Sequence, residues 1–235
     1  MTQTSISLLC LSCISSVLYG QACAPAPKNL SAWFTFDEPM FNTAARIPGM
    51  VGRALRFDGK STYFELPASA PGLNAGEENF TVELWVRTSN KLHARNIVDK
   101  RSADPTGWLI YIRGGSPGFQ VAHGSEITDS IATQYPIADG RWHHIAGVAR
   151  RLPPQAPMIF VDGQLRAQTG RNVTLADIDN NAPVWIGRHH ANSYVQRENL
   201  YFEGDVDELS FYRRALTPAE IGALYRAGRA GKCRR

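Results

Sequence analysis

Four carboxylates crowd a short stretch near the end of the chain: Glu203, Asp205, Asp207 and Glu208, in the run F-E-G-D-V-D-E-L-S-F-Y. Paired carboxyls of this kind are the working groups of glycoside hydrolysis, in which one acts as nucleophile or base and the other as acid. The retaining form needs the two groups about 5–5.5 Å apart. Glu203 and Glu208 are five positions apart, so on a plain strand they face opposite sides, and only a bulge brings them to one face. The same acids suit calcium, which takes six to eight oxygens. Asp37, Asp58 and Asp207 are the candidate ligands for such a structural ion. The alternative is that Asp207 and Glu208 accept hydrogen bonds from backbone or from arginines such as Arg213.

Aromatic residues supply the other candidate chemistry. Trp33, Trp85, Trp108, Trp142 and Trp185 fall on expected strands. Trp85 shares a face with Glu83 and Arg87, while Val82, Leu84 and Val86 form the opposite face. Trp108 and Tyr111 flank a similar strand. Exposed Trp and Tyr on a shallow sheet stack on sugar rings, so Trp85, Trp108 and Tyr111 are the ligand-binding candidates. The alternative is burial in a core, which large aromatics favour. Histidines come as two adjacent pairs, His143-His144 and His189-His190. Neighbours on a strand point to opposite faces, so His143 and His144 cannot share a metal there. No Ser-His-Asp or Cys-His set is readable.

The elements that must position these groups are mostly strands. Short apolar alternations recur between turns at Asp58-Gly59, Gly114-Gly115, Asp139-Gly140 and Asp162-Gly163, a rhythm that predicts a two-sheet sandwich. One helix is expected, after Thr217-Pro218-Ala219-Glu220. That run is a capping box with proline at the first turn; Ile221, Leu224 and Tyr225 form the apolar face and Gly228 the stop. We expect the helix to pack on the sandwich edge. No internal repeat and no linker divides the chain.

The chain has 235 residues, 43% of them hydrophobic, and a formal charge of +4. That suits one all-β domain. The scattered basic residues lack the interleaved aromatic pattern of a nucleic-acid reader. Residues 1–22 are uncharged with an apolar run at 6–18, which reads as a secretory signal peptide ending near Gly20 or Ala22. No segment is long and apolar enough to span a bilayer as a helix. Cys10 and Cys13 leave with the signal, so residues 23–235 form the mature domain, with Cys23 and Cys233 at its ends. Export favours a disulfide; lipidation of Cys23 is the other reading.

The closing run, from F-E-G-D-V-D-E through Y-R-R-A-L and the short helix, resembles the end of the LamG-like (laminin-G-like, concanavalin A-like) jelly-roll domains of secreted bacterial proteins. Further pieces match in order: A-W-F-T-F-D-E at 32–38, G-R-A-L-R-F-D-G-K-S-T-Y-F-E-L-P at 52–67, N-F-T-V-E-L-W-V-R at 79–87, D-G-R-W-H-H-I-A-G-V at 139–148, F-V-D-G-Q-L at 160–165 and N-N-A-P-V-W-I-G-R at 180–188. The resemblance implies an antiparallel jelly roll in which first and last strands are neighbours, which would let Cys23 meet Cys233. It also implies non-catalytic recognition of a carbohydrate or a glycosylated or matrix-like surface outside the cytoplasm. Two other functions stay open. The acidic run also fits the E-x-D-x-x-E pattern of laminarinase and lichenase β-glucanases through Glu203, Asp205 and Glu208, although Gly204 stands where those enzymes carry an apolar residue. A structural or adhesive envelope role is the third.

Overall fold

The computed structural model describes residues 22–38, 44–70, 72–91, 95–124, 126–131, 134–151, 156–168, 176–189 and 201–234. Residues 1–21, which carry nearly all of the expected signal peptide, lie outside them, as do His93 and His190. Two antiparallel sheets face each other. The larger contains β1 (Leu30–Phe34), β2 (Ala45–Pro48), β3 (Arg53–Asp58), β5 (Phe80–Arg87), β10 (Trp142–Arg150), β11 (Ala156–Val161), β12 (Gln164–Gln168) and β14 (Glu203–Tyr212). Its order is β12-β11-β10-β5-β14-β3-β2, with β1 also paired to β14. The smaller runs β4-β13-β6-β7-β8-β9, formed by β4 (Phe64–Leu66), β6 (Arg95–Asp99), β7 (Gly107–Arg113), β8 (Ser116–His123), β9 (Glu126–Ile131) and β13 (Val184–Ile186).

The alternating apolar residues meet between the sheets. Val82, Leu84 and Val86 of β5, Val206, Leu209 and Phe211 of β14, and Ile97, Ile110 and Phe119 of the smaller sheet share one core. Phe80 stacks on Phe211 with centroids 5.5 Å apart. Side chains of period two that do not enter this core must face outward. On the larger sheet most of those are nevertheless buried, because the sheet is covered a second time.

The cover is the C-terminal helix α1 (Pro218–Ala227) and the tail that follows. Thr217 and Glu220 form the expected capping box, and Gly228 ends the helix. Helix α1 lies on the outer face of the sheet, not on its edge: Ile221, Leu224 and Ala227 pack with Ala146, Val148, Phe160 and Tyr212. The reason is that β10 and β11 present apolar residues on both faces, and their outer stripe needs a partner. A 3-10 turn (Gly228–Ala230) then carries the tail across the sheet to Cys233. Cys23 and Cys233 are joined as a disulfide, with Cα atoms 5.0 Å apart. Hydrogen bonds from Ala24 N to Gly231 O (2.9 Å) and from Cys233 N to Ala24 O (2.8 Å) zip the two ends together.

Candidate functional site

Strand register builds a polar groove on the outer face of the larger sheet. Trp142 of β10 stands opposite Arg87 of β5, Arg87 opposite Asp205 of β14, Asp205 opposite Arg56 of β3, and Arg56 opposite Ala45 of β2. One rung of the sheet therefore sets Trp142, Arg87, Asp205 and Arg56 side by side on the outer face. The Asp205 carboxylate accepts from Arg56 Nε (2.8 Å) on one side and Arg87 Nε (2.7 Å) on the other. The Arg87 guanidinium also lies over the Trp142 ring, 4.8 Å from its centroid. Asp205 is nearly closed off, but the side chain of Arg56 is 54% exposed and that of Arg87 29%. A guanidinium has five N–H donors, so both arginines keep donors for a ligand. Arg87, Asp205 and Arg56 floor a groove of about 540 Å³, rimmed by Asp58, Thr88, Gly140 and Glu203, and Trp142 stands outside it, past the Arg87 end of the rung.

Gly204 holds this floor in place. Its φ is +151°, and a Cβ there would come within 2.5 Å of the Arg87 carbonyl oxygen. That explains a glycine between two acidic positions. Glu203 is exposed and accepts from Asn90 Nδ2 at 2.7 Å, while its carbonyl accepts from Thr88 Oγ1.

Beyond this rung the same face goes under cover. Asp207 pairs with Trp85 and Ser210 with Glu83, so Glu208 and Leu209 together oppose one residue of β5. Glu208 sits at φ +56°. This β-bulge puts Glu208 on the outer face beside Asp207, meeting the condition that the Glu203–Glu208 spacing set. Both are buried. Glu208 accepts from Trp33 Nε1 (2.9 Å) and pairs with Lys232 Nζ (3.0 Å). Lys232, brought in by the tail, is also 3.0 Å from Glu83. Glu83 further accepts from His144 Nε2 at 3.0 Å and Tyr212 OH at 3.2 Å. A carboxylate can only accept, so the His144 proton is on Nε2.

The environments drive these acids apart. Burial works against ionising Glu83, but Lys232 and His144 outweigh it and hold its carboxyl down at about 2. Burial raises Glu208 above the usual carboxylate range despite Lys232. Asp207 accepts from the Val51 N–H at 2.9 Å. Burial and the neighbouring Glu208 and Asp37 charges push it up to about 8.

Several expectations need correction. Trp108 is 1% exposed, packed on Phe80 and Phe211 between the sheets, with Nε1 donating to the Leu73 carbonyl; it is core and cannot stack on a ligand. Trp85 is 4% exposed because Tyr225 of α1 stacks on it and His144 meets its ring edge. Tyr111 is partly exposed but stands on the other sheet, in a hollow of about 210 Å³ with Asn96, Arg101 and His189. The three candidates thus share no surface.

Of the calcium candidates, Asp58 stands apart, whereas Asp37 lies close enough to Asp207 for its charge to raise that carboxyl. Asp58 is consumed by its own turn, accepting from the backbone N–H groups of Lys60, Ser61 and Thr62, which hold it far below the usual carboxylate range. Asp37 accepts from Arg53 N and pairs with Arg234. Asp207 faces Val51. Among the described residues no three acidic, histidine or cysteine side chains gather as a metal site.

The glucanase arrangement fails on distance and access. Glu203 and Glu208 are separated by at least four strand steps, on the order of 13 Å, and Glu208 is capped by Lys232 and Trp33. Asp205 is locked between two arginines. The two histidines do diverge as expected. His143 lies between Asp162 (2.8 Å) and Asp139 (3.0 Å), and His144 points to Glu83.

The described fold matches a laminin G-type family model, the Concanavalin A-like lectin/glucanases superfamily, over residues 58–222. The chain belongs to this superfamily. No curated protein matches it in sequence. Similar solved structures share the superfamily's architecture at low identity. The binding domain of Paraclostridial Mosquitocidal Protein 1 superposes with a TM-score of 0.63 at 17% identity, covering 83% of this chain and 47% of that one. Domain 4 of AbnA, an extracellular arabinanase of family GH43 from Geobacillus stearothermophilus solved with arabinotriose, gives 0.56 at 21%, covering 82% and 86%. Domains LG4-5 of the mouse laminin alpha1 chain give 0.55 at 16%, covering 77% and 48%. The chain thus spans about half the length of the first and third of these superfamily relatives. The Cys23–Cys233 bridge is of the kind that persists in oxidising compartments, and no helix among the described residues is long and apolar enough to cross a membrane.

Proposed function

We propose that this protein is an extracytoplasmic, non-catalytic recognition domain that binds a carbohydrate, free or on a glycosylated surface, along the rung Trp142–Arg87–Asp205–Arg56. The carrying observation is that rung. A carboxylate clamped between two guanidinium groups is held rigid, and the spare N–H donors of Arg56 and Arg87 face an open groove. Sugar hydroxyls need such fixed donors and acceptors, and Trp142, under the Arg87 guanidinium at the end of the rung, adds an aromatic surface for a ring that extends past the groove. The neighbouring AbnA domain, solved with arabinotriose, supports the reading by analogy of fold, and fold by itself does not fix a ligand. The burial of Glu208 under Lys232 and Trp33, out of reach of a substrate that meets Glu203, favours binding over cleavage by that pair.

The test is a glycan array probed with the folded protein, followed by titration of the hits with Trp142→Ala and Asp205→Ala. Each variant is expected to weaken binding at least tenfold while the circular dichroism spectrum is kept. An array with no hit, or hits indifferent to both variants, sinks the proposal. Release of reducing sugar from β-glucans would replace it with the hydrolase reading.

A further inference from the structure

Trp142 lines a separate depression. Away from the groove, a hollow of about 490 Å³ opens between the sheet and the C-terminal end of α1, with Met50, Trp142, Tyr225, Arg226 and Arg229 around it and Trp85 at its floor. Tyr225 is the aromatic wall, 37% exposed and stacked on Trp85 with centroids 5.9 Å apart. The charges of the two depressions differ. The groove carries Asp58, Glu203 and Asp205 against Arg56 and Arg87. The hollow carries two arginines and no acid.

Arg229 is exposed and has no hydrogen bond or ion pair among the described residues. Arg226 lies back along α1 toward Gly222. The groups that oppose this positive field are weak or occupied. The helix C-terminus has a partial negative charge, but the Tyr225 carbonyl accepts from the Gly228 N–H. Asp162, the acid felt by Tyr225, is held by His143 and by the His144 N–H.

We infer that the hollow between Trp142, Tyr225 and Arg229 binds the anionic substituent of a saccharide, a carboxylate or a sulfate ester. The inference rests on the carbohydrate reading above and names the class of sugar. The ring packs on Trp142 and Tyr225, and its anion meets the Arg229 guanidinium, whose planar fork matches both oxyanions. The rest of the chain of sugars runs past Trp142 and over Arg87 to reach the hydroxyl-binding groove. The ligand is therefore polarised, with the anion toward α1 and neutral hydroxyls toward Asp205.

An array printed with neutral, carboxylated and sulfated glycans tests this directly. Hits are expected among the acidic glycans, each at least tenfold tighter than its methyl-esterified or desulfated counterpart at 50 mM salt. That gap should shrink at 500 mM salt, because screening acts on exposed charges. Arg229→Gln should remove most of the gap and leave the neutral counterpart's affinity unchanged. Loss on esterification identifies the carboxylate; loss on desulfation identifies the sulfate. Hits that are neutral, or a preference for acidic sugars that Arg229→Gln does not move, overturn the anion assignment while leaving the carbohydrate reading in place. A blank array overturns both.

Discussion

Strand β14 carries acids of one type on one face to opposite fates. At its first half, Glu203 is exposed and Asp205 is held on a groove floor between two arginines that solvent reaches. Two residues on, Asp207 and then Glu208 are buried, the first against Val51 and the second under the C-terminal tail, tied to Lys232. The chemistry of the side chain is the same. What differs is the cover, and the cover is a segment that enters from the far end of the chain. A polar rung left open is available for recognition. A polar rung that is roofed over becomes a structural ion network whose stability depends on every member being paired.

This contrast sharpens under perturbation. The largest effect should come from opening the roof. The disulfide closes a loop with a sequence separation of 210, for which the chain-entropy model gives about 5 kcal/mol. A Cys23→Ser, Cys233→Ser double variant should therefore lose several kcal/mol in denaturant unfolding. An unchanged midpoint would mean that the tail is held by packing alone.

Lys232→Met should come next, at about 3–5 kcal/mol, because Glu83 and Glu208 lose the cation between them. Adding Glu83→Gln and Glu208→Gln should recover a large part of that loss. Failure to recover would show that the lysine acts through its packing on Trp33, 5.0 Å from its Nζ.

Asp207 makes a pH prediction. Its folded pKa, about 8, stands above the unfolded carboxylate value, so its protonated form is favoured by folding. Stability from this group is complete below about pH 4 and is lost as pH rises through 8. Asp207→Asn should flatten the stability profile between pH 5 and 9, by on the order of 2 kcal/mol across the window. Chemical denaturation at stepped pH reads this out.

The His143 cluster works the same way but more weakly. Burial lowers the imidazole, yet Asp162 and Asp139 raise it above its ordinary value. Its contribution is complete below about pH 6.5 and fades as pH climbs past the raised pKa. His143→Gln should abolish that slope in the NMR-detected titration and thermal profile. The smallest stability effect belongs to the open rung: Arg56→Ala should cost about 0–1 kcal/mol, as exposed ion pairs do.

Much of the fold was legible in sequence. The D-G turns at 58–59 and 162–163, the alternation in β5 and β14, and the Thr217–Glu220 box are local signals, and each became the element it indicated. The jelly-roll order and the end-to-end cysteine pairing came with the family resemblance. The site was less legible. The outward row Glu83, Trp85, Arg87 was readable from period two alone, but its exposure was not. Alternation reports which face a side chain takes and is silent on what lies above that face. Arg56 and Trp142 carried no signal in isolation, because their meaning comes from being register partners of Asp205 and Arg87. The bulge at Glu208 was an open possibility in the spacing and needed the β5 partner to decide it.

The sequence by itself determined the elements: where strands start, where the helix is capped, which side chains face the inter-sheet core, and which acids fall close together. Those properties are set by backbone preference and by apolar periodicity, both of which act over a few residues. Only the tertiary structure decided which acids stay wet. That choice depends on the tail 228–233 crossing β14 and β5, a contact between residues some 150 positions apart for the Lys232–Glu83 pair. Desolvation is imposed by whatever stands above a side chain, and no local pattern encodes it.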